Sequence, residues 1–219
     1  TIVPIPEISM VQSLTHIIEG MVGNGEELLH LVKTTGQEAG NKMMEMIFMY
    51  ATIWSTAGAI ISDKQNDFRG AFDKWFRTEF AEPVQLPEEG TVFDFWVDKE
   101  QIAFANWAKR TASYSHDPAQ VFGNIFVATM ETERVTFLLD LMIRNRHACM
   151  LVGGAGTGKT TIMKAKLRSM DPDAYANMSI NLNCFTDSML LQSGMESVLE
   201  KKTGRTFGPT GSKRLVYFI

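Results

Sequence analysis

Gly153-Gly154-Ala155-Gly156-Thr157-Gly158-Lys159-Thr160 is the stretch on which the reading of this chain turns. An apolar run, Ala148 to Val152, precedes it, and a helix-compatible stretch to about Ser169 follows. Strand, glycine-rich turn and helix in that order are the setting of a phosphate-binding loop. A triphosphate is bulky and polyanionic. Backbone N–H groups wrap it only where side chains leave room, hence the glycines. The helix that follows offers its first amides and the positive end of its dipole to the phosphates. Lys159 is placed to reach the β- and γ-phosphate oxygens. The Thr160 hydroxyl is placed to join the coordination of Mg2+, a hard cation that prefers oxygen ligands. The expected nucleotide-binding residues are therefore Gly153, Gly154, Ala155, Gly156, Thr157, Gly158, Lys159, Thr160 and Thr161, with Thr160 also the metal ligand. Glycine-rich turns also join strands to helices with no ligand, and Lys159-Thr160 is what distinguishes this one.

The 219 residues suffice for one large domain or two small ones, and the hydrophobic fraction of 45% suffices for a core. A formal net charge of -4 argues against a general nucleic-acid binder. The N-terminus Thr1-Ile2-Val3-Pro4 has no basic segment of a secretory signal. No apolar run approaches the roughly 20 residues that span a bilayer. Neither a nucleic-acid nor a membrane partner is expected. Cys149 and Cys184 are too few for a disulfide framework, and their apolar surroundings predict buried free thiols in a reducing compartment. The start without Met and the stop at Ile219 are read as those of a fragment of a longer chain.

The first half reads as mostly helical. Pro4 and Pro6 hold the start extended, and Ser9 is expected to cap a helix through about Val22. Gly23-Asn24-Gly25 breaks it, and Glu26 to Lys33 reads as a second helix. Lys42 to Ile61 carries Met43, Met46, Ile47, Tyr50, Ala51 and Trp54 at helical spacing, which predicts a core helix rather than a methionine-lined groove. Asp67 to Phe80 carries Phe68, Phe72, Trp75, Phe76 and Phe80, a spacing that puts four aromatics near one stripe, opposite Arg69, Asp73, Lys74 and Arg77. The stripe is expected to pack within the chain. Pro83 and Pro87 end that helix. The alternation of Thr91, Phe93, Phe95 and Val97, a turn at Asp98 to Gln101 and a return over Ile102 to Trp107 predict a β-hairpin.

A polar stretch between Lys109 and Pro118 is the expected boundary between units 1–110 and 118–219. In the second unit, Ile125 to Ala128 is expected to be extended, and Thr132 to Arg144 helical. Ala148 to Val152 reads as a strand, Lys159 to Ser169 as a helix and Met178 to Asn183 as a strand. Ser188 to Lys201 reads as a helix and Leu215 to Ile219 as a third strand. The fold class is therefore α/β: a helical subdomain with a hairpin, then part of a three-layer parallel sheet carrying the phosphate loop. His116 and the other three histidines show no paired ligand spacing and are read as surface or structural.

With these elements in place, the chain resembles the dynein heavy chains, ring-shaped AAA+ motors on microtubules. Ile2-Val3-Pro4-Ile5-Pro6-Glu7 and Met10-Val11-Gln12-Ser13-Leu14 resemble part of the second AAA+ module of that ring. Trp75 to Phe80 and Gly90-Thr91-Val92-Phe93-Asp94 resemble its C-terminal helices and the extension after them. Thr129-Met130-Glu131-Thr132-Glu133-Arg134 resembles the segment that approaches the nucleotide from the side in the third module, and Leu151 to Thr160 that module's Walker A loop. Leu199 to Arg205, Gly208-Pro209 and Lys213 to Ile219 look most like axonemal outer-arm chains.

The resemblance implies a partial P-loop AAA+ fold that binds ATP and Mg2+. It implies neighbouring AAA+ modules of the same heavy chain as partners, with intermediate and light chains and microtubules engaged through other parts. It also implies a place in the cytoplasm, the cytoskeleton and the ciliary axoneme, and minus-end-directed ATPase motor activity in the full-length protein. In this family the strand matching Leu215 to Ile219 runs into the Walker B acidic pair. The chain stops first, so no catalytic residue is assigned, and the fragment alone is expected to be inactive. Asp187 and Glu196 are poor substitutes, because an acid before a helix is an ordinary cap. Three other readings stay open: a regulatory nucleotide-binding module without hydrolysis, another P-loop NTPase, and a structural ring segment with an empty loop. An Asn-Lys-x-Asp guanine signature is missing, which argues against a GTPase.

Overall fold

The computed structural model describes residues 5–82, 84–119 and 121–219. The expected extension at Pro4 and helix stop at Pro83 lie outside the described residues. By packing, the chain divides into two compact units, 1–157 and 158–219.

In the first unit, helix α1 (Glu7–Val22) starts before Ser9, because Pro6 stands in the extended conformation as its N-cap and Glu7 suits the first turn. Its Ile17 and Met21 are buried. Helix α2 (Glu26–Thr35) buries no residue, whereas α3 (Gln37–Thr52) buries Met43, Met46, Ile47, Tyr50 and Ala51. The helix then widens into one π turn, Ile53–Ala57. This is the expected core helix, with its methionines filling space among rings. Gly40 is what lets α2 and α3 approach: a Cβ there would lie 2.4 Å from Val32 Cγ2.

Helix α4 (Phe68–Glu79) is capped by Asp67, whose carboxylate accepts from the Gly70 amide. Phe76 is fully buried and stacks on Phe80, while Phe72 packs near Phe93. Phe68 and Trp75, at the margins of the stripe, are about half exposed. The charged face is more than a solvated one. Arg77 donates to Asp73 Oδ1, to the Pro87 carbonyl and to the Gly90 carbonyl. Asp73 in turn accepts from the Val92 amide at 2.7 Å. The pair fastens the proline-bearing loop onto α4 and delivers the chain to the hairpin.

The hairpin forms between β1 (Phe95–Asp98) and β2 (Ala103–Asn106), antiparallel, with Phe95 opposite Asn106. It is shorter than the alternation suggests. Thr91 and Asp94 form a capping box that coils Val92–Asp94 into a 3-10 turn. Asp98 Oδ1 accepts from the Glu100 and Gln101 amides and makes the turn, with Ile102 at φ 50°. Trp107, just after β2, is fully buried.

The stretch 125–128 does not become a strand. Helix α5 (Met130–Arg144) starts at Thr129, whose side chain accepts from the Thr132 amide, and it packs against α1. Gly20 of α1 sits where a Cβ would meet Leu141 Cβ at 3.0 Å. A Schellman turn closes α5: His147 N donates to Met142 O and Arg146 N to Ile143 O, with Arg146 at φ 62°.

The second unit holds α6 (Lys159–Ser169), β3 (Tyr175–Ser179), α7 (Ser188–Glu196), β4 (Leu199–Thr203), β5 (Thr206–Pro209) and β6 (Arg214–Phe218). Strands β3 and β6 pair in parallel, Tyr175 opposite Arg214 through Ser179 opposite Phe218. The intervening chain makes the long crossover that a parallel pair requires. The fold is therefore mixed, with helices and a small parallel sheet. Its second strand runs over Tyr175–Ser179 and not Met178 to Asn183.

Two expectations need correction here. Residues 148–152 take no part in any sheet, so among the described residues the parallel sheet has two strands rather than three. An apolar run becomes a strand only through a ladder partner, and the run 148–152 has none among the described residues. Met150 and Val152 are accordingly exposed. The helix from Ser188 stops at Glu196 and does not reach Lys201. Leu199 to Pro209 is instead an antiparallel hairpin turned by Gly204-Arg205, with Gly204 at φ 60°. A Gly-X pair between Thr203 and Thr206 is a hairpin signal, and it outweighs the helical spacing.

Candidate functional site: the glycine-rich loop

Residues 145–158 connect α5 to α6. In the first unit, the Schellman turn aims His147 back at α1, where its ring stacks on His16 at 3.6 Å and its Nε2 meets Glu19 Oε2 at 2.9 Å. That clasp fixes the point from which the chain leaves for the loop. Further on, Thr157 Oγ1 donates to the Gly154 carbonyl at 3.0 Å and closes a local turn over Gly154 to Thr157. Gly156 lies at φ 74°, in the left-handed region that side-chain-bearing residues avoid.

At the start of the second unit, Gly158 lies at φ 81° as the N-cap of α6, and α6 begins on Lys159. As a glycine, the cap residue offers no side chain of its own to the first amides of α6. A Cβ at Gly156 or at Gly158 would meet nothing within 4 Å, so these glycines answer to backbone conformation and an open face, not to crowding. Lys159 is half-buried, while Thr160 and Thr161 are exposed at the first turn. The cations Lys166 and Arg168 lie in the last turn of α6, where they oppose the dipole at its other end. Along the chain, the nine expected residues run from the end of the first unit, 153–157, into the first turn of α6, 158–161. Open backbone, left-handed glycines and an amide-rich helix terminus are the donor set for phosphate.

Other sequence-marked residues fall elsewhere. Asp187 caps α7 by accepting from the Leu190 amide at 2.8 Å, and Glu196 accepts from Gln192. Arg134 is buried and donates to Asp94 Oδ1 at 2.8 Å and to Glu131 Oε1 at 3.0 Å. His116 bonds the Tyr114 hydroxyl. Cys149 and Cys184 are both free thiols, and both are exposed rather than buried. Cys149 lies in the run that finds no ladder, and Cys184 in the loop before α7. Neighbouring atoms still desolvate the Cys149 thiol and push its pKa above the ordinary thiol value. Among the described residues no group of three His, Cys, Asp or Glu could hold a metal ion, and no helix is long and apolar enough to cross a membrane.

Sequence reasoning missed a half-open cavity of about 410 Å³ in the first unit between α1, α2, α3 and the hairpin turn. Met21, Leu28, Leu31, Met43 and Ile47 line it, with Glu27 and Lys99 at the edge. No sequence pattern marks it, because its walls come from four separated segments. Its lining is mostly apolar, so it does not compete with the loop for a triphosphate.

Comparison with known proteins bears on the same two regions. A family model described as "Dynein heavy chain AAA lid domain" matches residues 1–109, and one described as "P-loop containing dynein motor region" matches residues 114–219. All of this chain aligns with Dynein axonemal heavy chain 9 of Homo sapiens at 38% identity over 218 residues. It aligns with Dynein beta chain, flagellar outer arm, of Chlamydomonas reinhardtii at 36% over 222 residues. It aligns with Dynein beta chain, ciliary, of Heliocidaris crassispina at 37% over 218 residues. In each case the chain spans 5% of the relative's length. With a lid-type helical unit, a phosphate loop opening a helix and both halves matched by its models, the chain belongs to the dynein heavy chain family.

Proposed function

We propose that this chain is an ATP-binding AAA+ segment of an axonemal dynein heavy chain, with Gly153 to Thr161 as the nucleotide site. The carrying observation is the pair of left-handed glycines, Gly156 and Gly158, that deliver α6 starting on Lys159. The loop amides hold phosphate oxygens, the Lys159 ammonium neutralises the β- and γ-phosphates, and the Thr160 hydroxyl is a ligand for Mg2+. Bound Mg2+ would offset the charge of the triphosphate. Asp187 and Glu196 are engaged within α7, which supports binding rather than hydrolysis by the residues of this chain.

In this reading, residues 1–110 are the C-terminal helical part of the second AAA+ module with its extension hairpin, and 118–219 begin the third. The lid match over 1–109 and the P-loop match over 114–219 support that division. The full-length protein would use ATP to move toward microtubule minus ends in the cytoskeleton of a cilium, with neighbouring AAA+ modules, intermediate chains and light chains as partners. The axonemal, ciliary and flagellar names of the relatives support the location.

Calorimetric titration of MgATP into the chain tests the site. Saturable heat in the parent that is lost in Lys159→Ala is the expected result. Equal heats in the two proteins would show the loop to be a structural turn. Turnover matching that of intact AAA+ motors would overturn the assignment of binding without hydrolysis.

A further inference from the structure

The β4–β5 hairpin is not needed to build the parallel pair. Among the described residues its strands bond to each other and to no other strand, and they stand between α7 and β6 as an excursion. Its composition is unlike the rest of the chain. Leu199 to Arg214 holds Lys201, Lys202, Arg205, Lys213 and Arg214 against the single acid Glu200, in a chain whose net charge is -4.

The two faces of the hairpin differ. On one, Glu200 accepts from Lys202 and from the Gly211 amide, and Lys202 also donates to the Gly211 carbonyl. These bonds clasp the base of the hairpin and use up its one carboxylate. On the other face, Lys201 stands directly across from Phe207, so the two side chains are neighbours. Phe207 is 60% exposed, and Lys201 and Arg205 are exposed as well. Among the described residues, neither Lys201 nor Arg205 meets a carboxylate.

Lysines on a two-stranded hairpin also serve to discourage edge-to-edge pairing. That role accounts for Lys201 and Lys202 but not for a phenyl ring left in water between a lysine and an arginine at the turn. An exposed aromatic with a lysine across from it and an arginine two residues before it suits a contact site: an apolar anchor with charge nearby. We propose that this face docks an acidic protein segment. Phe207 takes an apolar side chain of the partner, and Lys201 and Arg205 pair with carboxylates beside it.

Fluorescence anisotropy of a labelled peptide, glutamate-rich with one central leucine, tests this on the whole chain. Binding should weaken as salt rises from about 0.01 to about 0.15 M, since exposed charges are then screened beyond about 8 Å. The double variant Lys201→Glu with Arg205→Glu should weaken it about tenfold or more, as loss of close charge pairs does. Phe207→Ser should weaken binding of the leucine peptide but not of an all-glutamate peptide. Circular dichroism should be unchanged in both variants, and a charge reversal in the first unit, Lys33→Glu, should have no effect. The proposal is overturned if the parent does not bind at low salt or if the reversed hairpin binds as the parent does. It is also overturned if Phe207→Ser leaves the leucine peptide unaffected, or if a single-stranded oligonucleotide of equal charge binds more tightly than the peptide. None of these outcomes depends on ATP.

Discussion

Arg134 Nη2 donates to Asp94 Oδ1 at 2.8 Å, with the arginine side chain 5% exposed. The bond joins α5 to the 3-10 turn that leads into the first hairpin, across forty residues of sequence. Asp94 is committed twice, since its other oxygen accepts from the Thr91 amide and hydroxyl. The guanidinium brings a further demand, because Arg134 Nε is buried without a partner. Removing the arginine therefore strands a half-buried carboxylate as well as emptying its own site. Arg134→Ala should destabilise the fold by about 3 kcal/mol, in the range for breaking a buried pair from one side. Asp94→Asn keeps an acceptor for the guanidinium and should cost less. Urea unfolding of the two single variants and the double variant gives the coupling, and additive costs would show that the pair does not act as a unit.

Gly40 brings α3 close to Val32 on α2, and two opposing effects decide what a methyl there would do. Alanine gains about 1 kcal/mol of helix propensity over glycine. Its Cβ would lie 2.4 Å from Val32 Cγ2, and overpacking typically costs about 1–3 kcal/mol. Val32 sits on a helix that buries no residue, so part of the strain is relieved by a shift of α2. Gly40→Ala should be net destabilising by about 1 kcal/mol. Combined with Val32→Ala it should become neutral or stabilising, as read from denaturation midpoints.

The first unit was legible because its signals are local and mutually consistent. Met43, Met46, Ile47 and Tyr50 repeat at helical spacing, and all four are buried on α3. The alternation ending at Val97 gives a hairpin with its turn where Asp98 stands. What could not be read was where polar side chains are spent. Arg77 and Asp73 look like a solvated helix face, yet they hold a loop through carbonyls at Pro87 and Gly90 and an amide at Val92. In the loop region, the glycine spacing marked where the chain turns: Gly156 and Gly158 take left-handed φ and α6 begins on Lys159, because a left-handed φ is a local requirement. The run 148–152 shows the opposite case. Its apolar pattern is that of a strand, but a strand is a property of a ladder, and the pattern does not name a partner.

The Glu27–Lys99 pair ties α2 to the hairpin turn at 2.6 Å and stands at the edge of the apolar cavity. The hydrogen bond from Lys99, and then its charge, hold the Glu27 carboxyl below its ordinary value. A depressed folded-state pKa gives stability that is present above the ordinary glutamate pKa and lost as pH falls through the folded one. Glu27 is 74% exposed, so solvent screening keeps the gain small, about 0.5 kcal/mol or less. Lys99→Met should remove that part of the acid sensitivity and leave stability at neutral pH almost unchanged. Denaturation midpoints of parent and variant should therefore converge below the ordinary glutamate range, and a constant offset at all pH would contradict the assignment.

Arg146 occupies the left-handed position of the Schellman turn after α5, at φ 62°. Glycine is the residue that takes this place without a Cβ penalty. Arg146→Gly should stabilise the fold by about 0.5–1 kcal/mol, the strain of an L-residue outweighing the added freedom of the unfolded chain. The turn also aims His147 at His16 and Glu19, so Arg146→Val, which resists positive φ, should loosen that clasp. Hydrogen exchange at the His147 amide, which donates to Met142, reports the difference directly.

Gly158 separates the structural demand of the loop from its ligand demand. At φ 81° an alanine is strained, and the conformation costs about 1 kcal/mol. A methyl there meets nothing within 4 Å in this structure, so the folded chain tolerates it sterically. The open space it would fill is the side from which the proposed phosphates approach. Gly158→Ala should therefore lower Tm by only a few degrees while abolishing the rise in Tm that MgATP gives the parent. If the variant keeps that rise in full, the glycine serves only the turn, and the phosphates lie elsewhere. If Lys159→Ala also abolishes the rise, the glycine and the lysine serve the same ligand, the one through the open backbone and the other through its charge.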